Sequence, residues 1–394
     1  MQLKSGIPRG VWMLGVVSLC MDLSSEMIHA LLPVFLVTVL GASVTAVGLL
    51  EGAAEAIASI TKVFSGVLSD QLGKRKLLTV VGYGLAAVTK PFFALAPSVA
   101  WVFAARFADR VGKGIRGAPR DALIADLTPA QLRGASFGLR QALDTVGAFG
   151  GPLLAVALMA LTHDRFRTVF WVAVIPAFVC VLVLVLFVHE PQRAQRDTPR
   201  PARHIAWRAF GPRYWWVLAV AALFTLARFG EAFLLLKVSA AGLAPAYVPL
   251  ALVVMNVAYS AAAYPAGRLS DRVNRWAVFG VGSAFLIGAD LVLASSTSIA
   301  IMFLGIALWG LHMAFTQGIL AALVADAAPA EQRGTAFGVF NLVMGLALLA
   351  ASALAGIVWD GYGPAATFLA GAAFTALAGV VAVALFVTGR LRPL

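Results

Sequence analysis

Apolar residues run through this chain in long blocks, parted by short polar turns rich in Gly, Pro and Arg. A helix needs about 20 mainly apolar residues to cross a bilayer. The pattern resolves into stretches of that kind at 12–38, 46–68, 77–97, 99–122, 134–160, 168–188, 214–238, 247–268, 277–296, 299–322, 334–357 and 364–388. The expected fold class is therefore an all-α integral membrane protein with twelve transmembrane helices and no independent soluble domain. The first stretch is long, and with Asp22 and Glu26 too acidic for a cleavable signal peptide, so it reads as the first span. Composition agrees: 61% of the 394 residues are hydrophobic and 12% charged, well short of the charge a water-soluble domain carries.

One long polar interruption, HEPQRAQRDTPRPARHIAWRAFGPR at 189–213, reads as a basic cytoplasmic linker. It divides the chain into a six-helix bundle at 1–188 and another at 214–394. The halves repeat each other. GVLSDQLGKR from Gly66 returns as GRLSDRVNRW from Gly267, and ADLTPAQLRGASFG from Ala125 returns as ADAAPAEQRGTAFG from Ala325. Two pseudo-symmetric six-helix halves related by an axis along the membrane normal are one plan of a secondary transporter.

Basic residues mark alternate ends of the helices: Lys4 and Arg9, Lys74 to Lys76, Arg133, the linker, Arg268, Arg272, Arg275, Arg333, Arg390 and Arg392. The positive-inside rule makes these ends cytoplasmic, which places both termini inside and the chain in the cytoplasmic (inner) membrane. The opposite turns LGAS, LAPS and SAAGLAPA are uncharged, and HDRFR at 163–167 departs from the pattern. This asymmetry, with basic residues inside the spans, accounts for the net charge of +12 and argues against a nucleic-acid partner. Cys20 and Cys180 lie in apolar helices without ligand spacing and read as structural. No Walker loop, HExxH, GxSxG or paired CxxC occurs, so neither ATP-driven transport nor an enzyme is expected. The expected protein is a monomer in the lipid bilayer with no cofactor, its energy source the proton gradient.

The stretch RFADRVGKGIRGAPRD at 106–121 carries charge into the fourth span. A helix entered at residue 99 and rising about 1.5 Å per residue sets Asp109 and Arg110 near the midplane. Arg106, Arg110, Lys113 and Arg116 keep one stripe basic. Each central charge costs at least about 2.5–3.5 kcal/mol against lipid, so the stripe must face a polar cavity or countercharges. Candidate countercharges share helical faces: Asp22, Glu26 and His29; Glu51, Glu55 and Lys62; Arg140 and Asp144. At an offset of 200 the second half has Ile306, Trp309, Gly310, Met313 and Thr316 instead, so the basic stripe is not demanded by the fold. The network either stiffens the first half as ion pairs or forms a cavity.

In a cavity the carboxylates carry protons, Glu26 and Asp109 ranking first, then Asp22, Glu51, Glu55 and Asp144. Glu26 earns its rank partly by alignment with Glu231. Arg106, Arg110, Lys113 and Arg116, with His29 and Arg140, would hold an anionic substrate group. Asn256, Trp309 and Asn341 are candidates for a less charged wall. Arg228 and Glu231 read as a local pair, and Lys90 and Asp290, at equivalent positions, are assigned no role.

Gly66, Leu68, Asp70, Gly73, Lys74 and Arg75 resemble the signature G-x-L-x-D-x-x-G-[RK]-[RK] between helices two and three of the major facilitator superfamily. The second copy keeps Gly267, Leu269, Asp271 and Arg275, with Asn274 at the glycine position. Gly138, Gly147, Gly151, Pro152 and Ala155 resemble that family's antiporter motif G-x8-G-x3-G-P-x2-G, with Ala155 at the last glycine. The resemblance implies its twelve-helix fold, a gating loop that latches the halves during alternating access, and export in exchange for protons. Three functions follow as expectations. The first is proton-coupled export of a small organic anion or zwitterion. The second is export of a divalent metal ion or metal chelate, held by Asp22, Glu26 and His29 with Glu51 and Glu55. The third is a non-transporting membrane sensor or scaffold.

Overall fold

The computed structural model describes residues 6–129, 132–190, 210–329 and 332–391. Of the linker expected at 189–213, positions 191–209 lie outside the described residues, as do the side chains of Asp70 and Arg333. The described regular structure is helical and contains no strand, the arrangement that satisfies every backbone group without help from lipid.

The helices are α1 (Arg9–His29), α2 (Leu32–Thr38), α3 (Val44–Leu72), α4 (Arg75–Leu95), α5 (Val99–Leu127), α6 (Arg133–Leu161) and α7 (Phe166–Phe187). The repeat continues with α8 (Pro212–Ala227), α9 (Ala232–Ala240), α10 (Leu250–Ser270), α11 (Arg275–Ser295), α12 (Ile299–Ala327), α13 (Arg333–Tyr362) and α14 (Pro364–Val387). Eleven spans among the described residues pass on length and apolarity alone, α1 with α2 and α8 with α9 each counting as one. The twelfth is α5, as long as α12 but interrupted by charge.

Two expected single spans are broken. The first stops at His29 and restarts at Leu32, where Pro33 in the first turn lacks an amide to donate. The seventh stops at Ala227 and restarts at Ala232. Because the restarts at Leu32 and Ala232 are 200 residues apart, Glu231 corresponds to Leu31, and its alignment with Glu26 does not stand. The helix α3 also continues through Gly66 to Leu72, so most of the expected gating loop is helix. The turn itself is Gly73, whose φ of +63° favours glycine, followed by Lys74.

The chain packs as two units. The first gathers Met1–Leu40, Ile57–Ala202 and Pro245–Pro249, the second Gly41–Ala56, Arg203–Ala244 and Leu250–Leu394. In the first, α1, α4, α5 and α7 share a core that includes Val17, Met21, Tyr83, Leu123, Ile124 and Cys180. Arg167, in the turn that departed from the charge pattern, donates to the Ala96 carbonyl at 2.8 Å and so caps the end of α4. In the second unit, α11 packs on α12 and α14, and α10 on α12. There Asp360 of α13 accepts the Val44 and Thr45 amides at 3.1 and 2.8 Å, capping α3.

Candidate functional site

Membrane helices associate by close packing rather than by hydrophobic drive, so small residues decide which faces meet. On α4 and α5 the meeting point is Gly82 with Gly112: a Cβ on Gly112 would lie 2.7 Å from the Gly82 carbonyl oxygen. A Cβ on Gly114 would lie 2.8 Å from the Ala58 carbonyl of α3. Held this tightly, α5 carries Arg106, Asp109, Arg110 and Arg116, and all four are buried. Lys113 of the same helix is exposed.

The close approach also brings Lys90 of α4 to Asp109. Its Nζ lies 2.8 Å from Asp109 Oδ1 and donates to Ser25 Oγ of α1 at 2.9 Å, with both charged side chains almost fully enclosed. Sequence reasoning missed this partner. The available signal was a single lysine inside the apolar run LAAVTKPFFAL. One to two turns towards the other end of α5, the Arg116 guanidinium carbon lies over the Tyr83 ring, 4.6 Å from its centre, and among the described residues its buried Nη1 has no hydrogen-bond partner. Arg120 donates to Ser18 Oγ at 3.0 Å and to Tyr83 Oη at 3.4 Å, and pairs with Asp121 at 3.0 Å. Arg140 of α6 pairs with Asp144 one turn on and sits 3.7 Å from Asp121.

The motif glycines of α6 face the acidic side of α1. A Cβ on Gly147 would lie 2.9 Å from Asp22 Cβ, and one on Gly151 would lie 2.6 Å from Glu26 Cβ. These two positions therefore admit the two turns of α1 that carry carboxylates. Pro152 and Ala155 are buried in the same helix, whereas nothing lies within 4 Å of a Cβ on Gly138. Glu26 Oε2 is 3.4 Å from His29 Nδ1. Among the described residues no group of three His, Cys, Asp or Glu side chains could hold a metal ion, and Asp22, Glu26 and His29 form no such set.

Other expected site residues lie elsewhere. Glu51 and Glu55, read from sequence as countercharges to α5, belong to Gly41–Ala56 and pack in the second unit. There Arg228, at the α8–α9 break, interacts electrostatically with Glu231, Tyr259 and Glu55. Trp309 is buried, its ring 5.2 Å from those of Phe229 and His312, while Asn256 is half-buried and Asn341 exposed. In the signature segments Arg75 pairs with Asp126 at 2.5 Å and donates to the Ala122 carbonyl at 2.7 Å. Its counterpart Arg275 pairs with Asp326, whereas Lys74 and Asp271 are exposed and a Cβ on Gly66 would meet Ala118 at 3.5 Å. Glu190 accepts the Arg75 amide at 2.5 Å, closing an α4 start that has no side-chain cap of its own.

What these helices build is a membrane-embedded, charged interior rather than a catalytic centre, and comparison with known proteins agrees. An MFS-type transporter of Methanocaldococcus jannaschii is 31% identical over 383 residues, covering 95% of this chain and 94% of that protein. The quinolone resistance protein NorA of Staphylococcus aureus is 27% identical over 184 residues, 45% of this chain and 46% of that one. In fold, the chain resembles the crystal structure of a bacterial homologue of the human lysosomal transporter Spinster. The TM-score is 0.77 at 16% identity, with 97% of this chain and 96% of that chain covered. The sequence profile of the Major Facilitator Superfamily matches residues 14–240 and 232–393, and the chain belongs to that superfamily as a multi-pass membrane transporter.

Proposed function

We propose that this transporter exports a small organic anion or zwitterion in exchange for protons, from the cytoplasmic membrane, with both termini in the cytoplasm. The observation that carries the substrate class is Arg116 of α5. It is buried over the Tyr83 ring, and among the described residues its Nη1 has no acceptor. A buried guanidinium with an unmet donor attracts an anionic group, and its donors form the fork that suits a carboxylate or phosphate.

Support for proton exchange comes from α1 and α6. Glu26 and Asp22 are neither fully enclosed nor locked in a lysine pair as Asp109 is, and His29 beside Glu26 can pass a proton. Glu26 is thus the first candidate for the coupling carboxylate, with Asp109 released only when its pair with Lys90 parts. The partial likeness to a quinolone resistance protein supports export. Among the described residues no gathered donor set favours the metal reading, and the buried basic side chains of α5 repel a bare cation.

The test is substrate-driven proton movement in liposomes holding the purified protein, with organic anions, organic cations and divalent metals as the panel. Proton flux with anions or zwitterions, abolished in Glu26→Gln and weakened in Arg116→Leu, is the expected result. Flux driven only by cations, or exchange of an anion without proton movement, would overturn the substrate class or the coupling respectively.

A further inference from the structure

The break between α8 and α9 leaves residues 228–231 out of helix inside the second unit. A helix that ends within a membrane brings unpaired carbonyls, with their partial negative charge, to a place where they serve cations and protons. Beside this break lies Asp290 of α11. Its side chain is fully buried, and neither carboxyl oxygen has a hydrogen-bond partner among the described residues. The space it occupies is small: a Cβ on Gly371 of α14 would lie 2.7 Å from Asp290 Oδ2, 3.1 Å from the Phe229 ring and 3.3 Å from the Ala227 carbonyl oxygen.

Among the described residues no countercharge meets this carboxyl. The helix α14 carries no titratable side chain. From α12 come His312, packed edge-on against Trp309, and Asp326, which pairs with Arg275 of α11. Tyr259, Tyr264 and Arg268 belong to α10, and Arg213 and Tyr214 to the start of α8. Arg228 at the break interacts with Glu231, Tyr259 and Glu55. In the first unit the equivalent positions hold the Lys90–Asp109 pair. In the second, Asp290 stands at the lysine position and Trp309 at the aspartate position, so an acid remains and its partner is gone.

A bare carboxylate in a dry pocket is costly, whereas its neutral acid is tolerated. A hard metal cation is a poor alternative occupant, because two carboxyl oxygens and one carbonyl fall short of the six or so oxygens such ions take. We propose that Asp290 is a proton site of the second unit, a neutral acid enclosed beside the Ala227 carbonyl at the α8–α9 break. Its use in transport rests on the proton-coupled reading above; its protonation does not.

Infrared spectra of the full chain in lipid, in water and in deuterium oxide, test this directly. A protonated-carboxyl carbonyl band that shifts on deuteration should be present at neutral pH, lost in Asp290→Asn and kept in Asp109→Asn. Gly371→Ala, which crowds Oδ2 while leaving the acid in place, should shift the band without removing it. Identical carboxyl bands in wild type and Asp290→Asn would overturn the proposal. So would a melting temperature raised by sodium chloride over choline chloride in the wild type but not in Asp290→Asn, since the occupant would then be sodium. Substrate-driven proton flux is measured on the same preparations, so that a missing flux removes the coupling reading while the band still decides the fate of Asp290.

Discussion

Helices α5 and α12 are copies of one another that share a scaffold and differ in chemistry. Each follows a serine, Ser98 or Ser298, and each meets a glycine of the preceding helix. A Cβ on Gly82 would strike the Arg116 backbone at 2.6 Å, and one on Gly282 would lie 2.9 Å from Phe315 Cβ, beside Thr316. Each ends near an aspartate that pairs with an arginine 51 residues earlier, Arg75 with Asp126 and Arg275 with Asp326. Yet Arg106, Asp109, Arg110 and Arg116 have only Ile306, Trp309, Gly310 and Thr316 as counterparts. Since the apolar copy folds into the same kind of helix, the charges of α5 are not demanded by that architecture, and on the proposed reading they serve transport. That inference can be broken at several points.

The hardest blow is expected at Asp109. Replacing it by Asn strands the Lys90 ammonium, with only Ser25 left among its bonded partners, and breaking one side of a buried pair costs about 3–5 kcal/mol. Thermal unfolding of the purified protein should show a large drop for Asp109→Asn. The double change Lys90→Met with Asp109→Leu should restore most of it, because apolar replacement of a buried pair is often neutral or stabilising. Transport should stay lost in the double variant. If it returned, the pair would be architecture after all, and α5 would differ from α12 only in how its core is filled.

Arg116 comes next. Among the described residues one of its donors has no acceptor, so its removal should spare stability and reduce apparent affinity for an anionic substrate. A hydrogen bond to a charged group is worth about 1.5–3 kcal/mol, which corresponds to roughly 10- to 150-fold in affinity. Titrating substrate against initial transport rate in Arg116→Leu and in Thr316→Val, its counterpart, separates the two helices: the first should shift and the second should not.

How far this arrangement could be read from the sequence depended on range. Spans were legible because about 20 consecutive apolar residues are a local signal. The halves were legible because GVLSDQLGKR and ADLTPAQLRGASFG recur in order. The breaks at Ala30–Leu31 and at 228–231 were not, since two or four unwound residues leave hydropathy almost unchanged; Pro33 and Gly230 were the hints. The Lys90–Asp109 pair depends on how two helices cross at Gly82 and Gly112, and periodicity within one helix carries no such information. That Glu51 and Glu55 pack in the second unit was not legible for a similar reason: hydropathy shows α3 as one span and not that its first part belongs to the other unit.

The glycines of α6 offer a sharper contrast within one motif. A methyl group on Gly151 would meet Glu26 Cβ at 2.6 Å, and overpacking of this kind costs about 1–3 kcal/mol. Gly151→Ala should therefore lower the melting temperature and push α1 from α6. Gly138→Ala meets open space in this state and gains helix propensity, so it should be neutral or stabilising by up to about 1 kcal/mol. Equal losses in both variants would mean that the motif acts as a unit and not through the two positions that face Asp22 and Glu26.

The smallest effects belong to the pairs that both halves retain. Arg75 and Asp126 have side chains 10% and 25% exposed, while Arg275 and Asp326 are 30% and 45% exposed. Exposed pairs contribute about 0–1 kcal/mol, so Arg275→Ala should change stability little. Arg75→Ala also gives up the 2.7 Å bond to the Ala122 carbonyl, where Arg275 reaches Ala322 only at 3.5 Å, and should cost more. Both belong to the segments whose resemblance implied a latch between transport states. A latch would show itself as a transport rate altered several-fold in a variant whose unfolding temperature barely moves, because it acts on the balance between folded states. Rates that merely track stability in Arg75→Ala and Arg275→Ala would make these arginines helix-end staples, retained in both halves because α4 and α11 need the same carbonyl partners.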